Sequence, residues 1–235
     1  MLLPYYSIGS DSGTIEAALH FEFSYTFKPV LIGRPDQQLP VIHSREEGKI
    51  DPAVWSIKSL KSSGVSYPWV RAEGIIKSLF TRALIRNNRC LVPANGFFIK
   101  TPAGIYFIYY PKERVLTLGA ICKMYTDPDT RKTATTFSLI SRPSHSKLSH
   151  LTGRMPLIIR PSDRRKFLKK EIPLMDITRI LRKDNNLDVN GTQVNPWMFH
   201  KENPTKKDFM AIGNKLYKAR PFPEKAILGN FYYQS

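Results

Sequence analysis

The feature that most constrains this fold is a run of short strand-like segments between residues 90 and 140. Cys90–Val92, Gly96–Lys100, Ile105–Tyr110, Val115–Ile121 and Thr135–Ile140 follow one another closely. Turn signals such as Pro102-Ala103-Gly104 and Asp127-Pro128-Asp129 separate them, and Pro/Gly/Asp clusters between apolar runs predict chain reversals. Residues 19–32 and 53–57 also read as extended, Leu39–Ile42 as a short apolar piece, and 43–52 as a charged loop. Helices are expected over 75–86, where Ile75, Ile76, Leu79, Phe80, Ala83 and Leu84 share one face. Others are expected from Pro161-Ser162-Asp163, with Ser162 or Asp163 near the cap, and over 174–183. Met155–Ile159 reads as one more strand. The whole predicts a single compact, β-rich α+β domain with a few helices. Its expected limits are 1–199, followed by a basic, aromatic-containing extension over 200–235 packed on or near it.

Charge narrows the partner. The chain has 36 Lys+Arg against 19 Asp+Glu, a net charge of +17. Residues 1–60 hold five basic and seven acidic side chains, so the first segment is slightly acidic and the rest carries the excess. Such a field attracts polyanions. No stretch approaches the roughly 20 apolar residues of a membrane span, and Met1-Leu2-Leu3-Pro4 has no basic signal-peptide start. A cytoplasmic monomer with no membrane partner is expected. Cys90 and Cys122 suggest neither a disulfide framework nor a zinc site, so no metal and no cofactor is expected. Both read as buried thiols.

Three segments carry a family resemblance. They are Arg71-Ala72-Glu73, Arg89-Cys90-Leu91-Val92-Pro93-Ala94-Asn95-Gly96-Phe97-Phe98, and Arg154-Met155-Pro156-Leu157-Ile158-Ile159. In this order they resemble the SRAP family, the SOS-response-associated peptidase-like proteins. Trp55-Ser56-Ile57 and Val194-Asn195-Pro196 add weaker matches. The resemblance implies a β-rich fold with a basic groove that binds single-stranded DNA. It also implies an N-terminal cysteine whose amine and thiol trap the aldehyde of an abasic site, and a peptidase-like activity at the same place. A thiolate beside an amine suits an aldehyde, and a carboxylate and an imidazole can move the protons.

The sequence departs from that pattern at each reactive position. Leu2 stands where the family has Cys, Trp69 where it has Asn, Ile99 where it has Glu, and Thr152 where it has His. The resemblance therefore implies a pseudoenzyme that binds single-stranded or junction DNA without covalent chemistry. Arg71, Arg82, Arg86, Arg154 and Trp69 are its expected nucleic-acid contacts. Arg71 alternatively pairs with Glu73, and Trp69 either fills the old pocket or stacks on a base. His145 and His150 are candidates to replace the lost imidazole. Ser144-His145-Ser146-Lys147 matches a Ser-x-x-Lys spacing, a match expected by chance. Arg164, Arg165, Lys166, Lys169 and Lys170 form a basic run read first as a solvated helix face. Two other readings stay open. One is an active peptidase or crosslinker with relocated site residues or a different N-terminus. The other is a scaffold for RNA or an acidic protein.

Overall fold

The longest ladder joins β12 (Leu116–Thr126) to β13 (Thr133–Pro143) in antiparallel register from Ala120↔Leu139 to Thr126↔Thr133. A computed structural model describes residues 1–43, 48–58, 66–127, 130–183, 188–202, 204–205, 211–212 and 215–216. Before the long ladder come β1 (Leu2–Ile8), α1 (Ser12–Leu19), β2 (Glu22–Phe23), β3 (Val30–Gly33), β4 (Gln38–His43), β5 (Lys49–Trp55), β6 (Ile57–Lys58), β7 (Ser66–Tyr67) and β8 (Trp69–Arg71). Then follow α2 (Leu79–Asn87), β9 (Arg89–Ala94), β10 (Gly96–Thr101) and β11 (Gly104–Tyr109). After the ladder lie α3 (Ser146–Ser149), β14 (Arg154–Pro156), α4 (Pro161–Leu168), α5 (Leu174–Arg182), β15 (Asn190–Val194) and a 3₁₀ turn, Pro196–His200.

Five strands close on themselves. The order β13-β12-β9-β4-β5 returns to β13 through a parallel pairing, Val54↔Thr136 and Trp55↔Phe137. Closure leaves these five strands without a free edge. β9 is buried along its whole length, as a central barrel strand must be. A second sheet, β15-β11-β10-β1-β3, lies against it. Its alternation is visible in β10. Phe97 and Ile99 join the main core, while Phe98 joins a second cluster with Leu3, Ile32, Val194 and Met198, the period-two signature of a strand buried on both faces. Arg34 pins the C-terminal turn over that second cluster through the carbonyls of Phe199 at 3.1 Å and Lys201 at 2.7 Å.

The β-rich α+β class and the strand succession after Cys90 are observed. Several local expectations are not. The extended stretch 19–32 shrinks to β2 and β3, and α1 precedes it, capped by Asp11 through the Thr14 amide at 2.8 Å. The loop 43–52 contains β5 from Lys49 onward, with 44–47 outside the described residues. The helix expected from Ile75 begins at Leu79, because Ile75, 1% exposed, enters the core from the preceding turn. Leu79 and Phe80 therefore stay exposed, and Leu84 and Ile85 form the buried face. The strand expected over 155–159 stops at Pro156 and continues only as a Leu118↔Ile158 bridge. Arg160, not Ser162 or Asp163, caps α4, with Pro161 at the first helical position, where its missing N–H costs nothing. Most of the 200–235 extension lies outside the described residues. Within it the described part includes a small ladder, Ala211–Ile212 with Lys215–Leu216.

Candidate functional site

Two of the four positions singled out in the sequence, Leu2 and Ile99, face each other. In the β1–β10 ladder Leu2 is the register partner of Ile99. Ile99 is fully buried, and Leu2 packs half-buried against the same main core. Both side chains are hydrocarbon, so this cross-strand pair can neither attack an aldehyde nor carry a proton. The backbone ends of the two strands are tied together as well. Lys100 N–H donates to the Met1 carbonyl at 2.7 Å, and the Met1 amine donates to the Lys100 carbonyl.

The third position, Trp69, lies in β8, which runs parallel to β13 with Trp69↔Leu139 and Arg71↔Ser141. Its ring meets Trp55 edge-on at 5.8 Å, and Trp55 in turn stacks with Phe137 at 6.4 Å and meets Tyr6 at 4.9 Å. Trp69 thus caps an aromatic column while staying partly exposed. The fourth, Thr152, is 4% exposed and occupied locally: its hydroxyl donates to the Arg154 carbonyl at 3.0 Å.

Around Ser141 the structure assembles a charged group. Arg154 holds Glu73 with two parallel bonds of 2.8 and 2.9 Å and donates to the Ser141 carbonyl at 2.9 Å. This fork geometry suits a carboxylate. It draws the Glu73 carboxyl down to about 2, chiefly through the Arg154 hydrogen bond, with the Arg71 charge adding to the effect. Glu73 therefore pairs with Arg154, and the alternative Arg71–Glu73 pair is not formed. Arg71 is exposed and makes no ion pair or side-chain hydrogen bond among the described residues. Arg82 and Arg86 are exposed on α2, likewise without an ion pair among the described residues. The structure thus brings Arg71, Glu73 and Arg154 together at Ser141, and places Arg82 and Arg86 on the helix that follows.

The candidate replacements have structural posts. His145 is 4% exposed and caps α3, its Nδ1 accepting from the Lys147 amide at 3.2 Å. His150 is exposed at the other end of α3. Lys147, the lysine of the Ser-x-x-Lys match, pairs with Asp188 at 3.0 Å. Cys90 is fully buried, and burial beside Cys122 pushes its thiol well up, the environment of an inert thiol. Among the described residues no group of three or more His, Cys, Asp or Glu could hold a metal ion, and no described helix is long and apolar enough to cross a membrane.

What sequence reasoning missed is the role of Arg89. It is fully buried, and its guanidinium donates to the carbonyls of Ile85 at 2.7 Å and Phe167 at 2.6 Å, and also to those of Arg86 and Lys169. It closes the C-terminal ends of α2 and α4 together, where carbonyls lack intrahelical partners. A basic residue directly after an apolar helix, opening a fully apolar strand, was the available signal.

The fold has solved relatives. A protein from Bacteroides thetaiotaomicron superposes with a TM-score of 0.79 at 17% identity, covering 89% of this chain and all of that one. A Bordetella bronchiseptica protein gives 0.70 at 12% identity, covering 82% of this chain and all of its own. A phage-related protein from the same organism gives 0.66 at 16%, covering 82% of this chain and 94% of its own. No curated protein matches the sequence. The model of the SOS response associated peptidase family matches residues 6–200, the span that holds the barrel, nearly all of the second sheet and the Arg71–Glu73–Arg154 group, and the chain belongs to that family, SRAP.

Proposed function

We propose that this SRAP protein binds single-stranded DNA without covalent attachment, as a chemically silent member of a DNA-damage-response family. The observation that carries the reading is the Leu2–Ile99 pair. Two apolar side chains meet where the family resemblance requires a nucleophile and an acid, while Arg71 on β8 is exposed and makes no ion pair among the described residues. Trp69 and Thr152 complete a set of four positions with no side chain that titrates near neutral pH.

The binding half rests on electrostatics. Arg71, Arg82 and Arg86 offer guanidinium groups to phosphates, whose contacts position a strand without reading its sequence. Trp69 presents a partly exposed ring, and a base stacked on it contributes about 1–3 kcal/mol. Arg154 enters this reading as the anchor of Glu73, which keeps the carboxylate next to Arg71 fixed.

Fluorescence anisotropy with an unmodified single strand tests the binding half. Binding should weaken steeply with salt, and Arg71→Gln should lower the magnitude of the log–log salt slope by about 0.7. Salt-independent binding, or an Arg71 variant indistinguishable from the wild type, would contradict it.

A further inference from the structure

The basic run of α4 does not stand alone. α4 and α5 enclose a cleft of about 440 Å³ on the outside of the barrel, lined by Lys166, Arg179, Arg182 and Lys183 with Asp163 and Asp176. The two carboxylates do not balance the four cations. Asp176 is shared by Lys166 at 3.0 Å and Arg179 at 3.1 Å, and Asp163 takes Lys183 at 2.7 Å. Arg182 is exposed and has no ion pair among the described residues. Beside the cleft Arg165, Lys169 and Lys170 are also exposed and unpaired among the described residues.

Three properties of this face select its ligand. The cations ride on two short helices whose positions are set from below. Phe167, Ile177 and Ile180 are buried, and Arg89 fastens the end of α4 through Phe167 and Lys169. The charge is therefore displayed on a rigid frame. Secondly, the face lacks stacking surfaces. The one aromatic residue of α4 and α5 is Phe167, fully buried. Single strands are held by cations interleaved with aromatic rings, whereas a duplex keeps its bases stacked inside and offers its phosphates. Thirdly, six of the seven residues that line the cleft are charged, with Ile180 the seventh, and guanidinium and ammonium heads suit phosphate oxygens.

We propose that the α4–α5 face is a second nucleic-acid surface that takes the backbone of a double-stranded arm, with one phosphate seated in the cleft beside Arg179 and Arg182. This rests on the DNA-binding reading above and adds to it a ligand geometry and a separate place. The strand carrying Ser141 links the two surfaces: Arg142, the next residue, donates to the Lys183 carbonyl at the rim of the cleft.

The test uses the full-length protein, a blunt duplex and a single strand of equal length, by anisotropy over a salt series. The variant combines Arg165→Gln, Lys169→Gln, Lys170→Gln and Arg182→Gln, all exposed side chains, and an unchanged thermal midpoint shows that it folds. It should bind the duplex about tenfold more weakly or worse, with a salt slope reduced by about 2 or more, and bind the single strand within about twofold of the wild type. Arg71→Gln should do the converse. Restoring charge with lysine at 165 and 182 should recover the duplex slope. A variant that keeps wild-type duplex binding overturns this surface alone. Equal losses for both ligands also overturn it, since they mean a diffuse field. A wild-type protein that binds the single strand but not the duplex overturns it as well, and one that binds neither overturns both readings.

Discussion

Arg89 joins two helix ends to the barrel strand that it opens. Its guanidinium is surrounded by carbonyl oxygens and has no ion pair among the described residues, and burial alone draws it down to about 10. Removing it leaves helix-end carbonyls unpartnered inside the protein. Arg89→Ala should therefore cost about 3 kcal/mol or more in urea unfolding. Arg89→Lys should recover only part, because a point charge cannot reach two helix ends as a planar fork does. Asn95 is similarly structural. Its amide donates to Ser10 Oγ at 2.7 Å and to the Arg114 carbonyl at 2.6 Å, and its carbonyl accepts from the Ser10 amide at 3.0 Å. Glu73 gives a pH signature at the same scale. Its folded carboxyl sits at about 2, below its ordinary value, so the stabilisation is present above about pH 4.5. It is lost as pH falls toward 2, when protonation releases Arg154. NMR titration of the carboxyl should show that midpoint, and Ser141→Ala should raise it only slightly if the Arg154 fork dominates.

Among the elements, β10 explains why the most specific segment of the sequence was so legible. Gly96 opens it where a Cβ would lie 2.2 Å from the Ile108 carbonyl oxygen, so the neighbouring strand's backbone itself demands glycine. Gly96→Ala should destabilise by about 1–3 kcal/mol, measured by thermal unfolding, since backbone rather than a flexible side chain must move. Phe97 and Phe98 then point to opposite clusters, a pattern that a strand reading anticipates. α1 was illegible for the opposite reason. Only Ile15 and Leu19 of its residues are buried, too few for an apolar period, and the Asp11 cap was its sole sharp signal. α2 was displaced by four residues because Ile75 supplies an apolar side chain from a turn, which periodicity cannot distinguish from a helix position. Two of the Arg89 partners, Phe167 and Lys169, lie 78 and 80 residues away at the end of α4, and no local pattern encodes such bonds. The parallel closure of β5 on β13 is hidden for the same reason.

At the scale of the molecule, the proposed function separates charge from chemistry. Arg89, Asn95, Gly96, Phe97 and Phe98 help hold the closed barrel and its second sheet together. Leu2, Trp69, Ile99 and Thr152, on which the proposed lack of covalent chemistry rests, pack or hydrogen-bond within the fold. Exposed cations remain on β8, α2, α4 and α5. A protein built in this way should hold DNA reversibly. The most direct test is to incubate it with a single strand carrying an abasic site and analyse the mixture by denaturing electrophoresis. The account predicts a shifted complex on a native gel that disappears completely under denaturing conditions. A band that survives denaturation, with its attachment mapped by mass spectrometry to any residue of this chain, would contradict it.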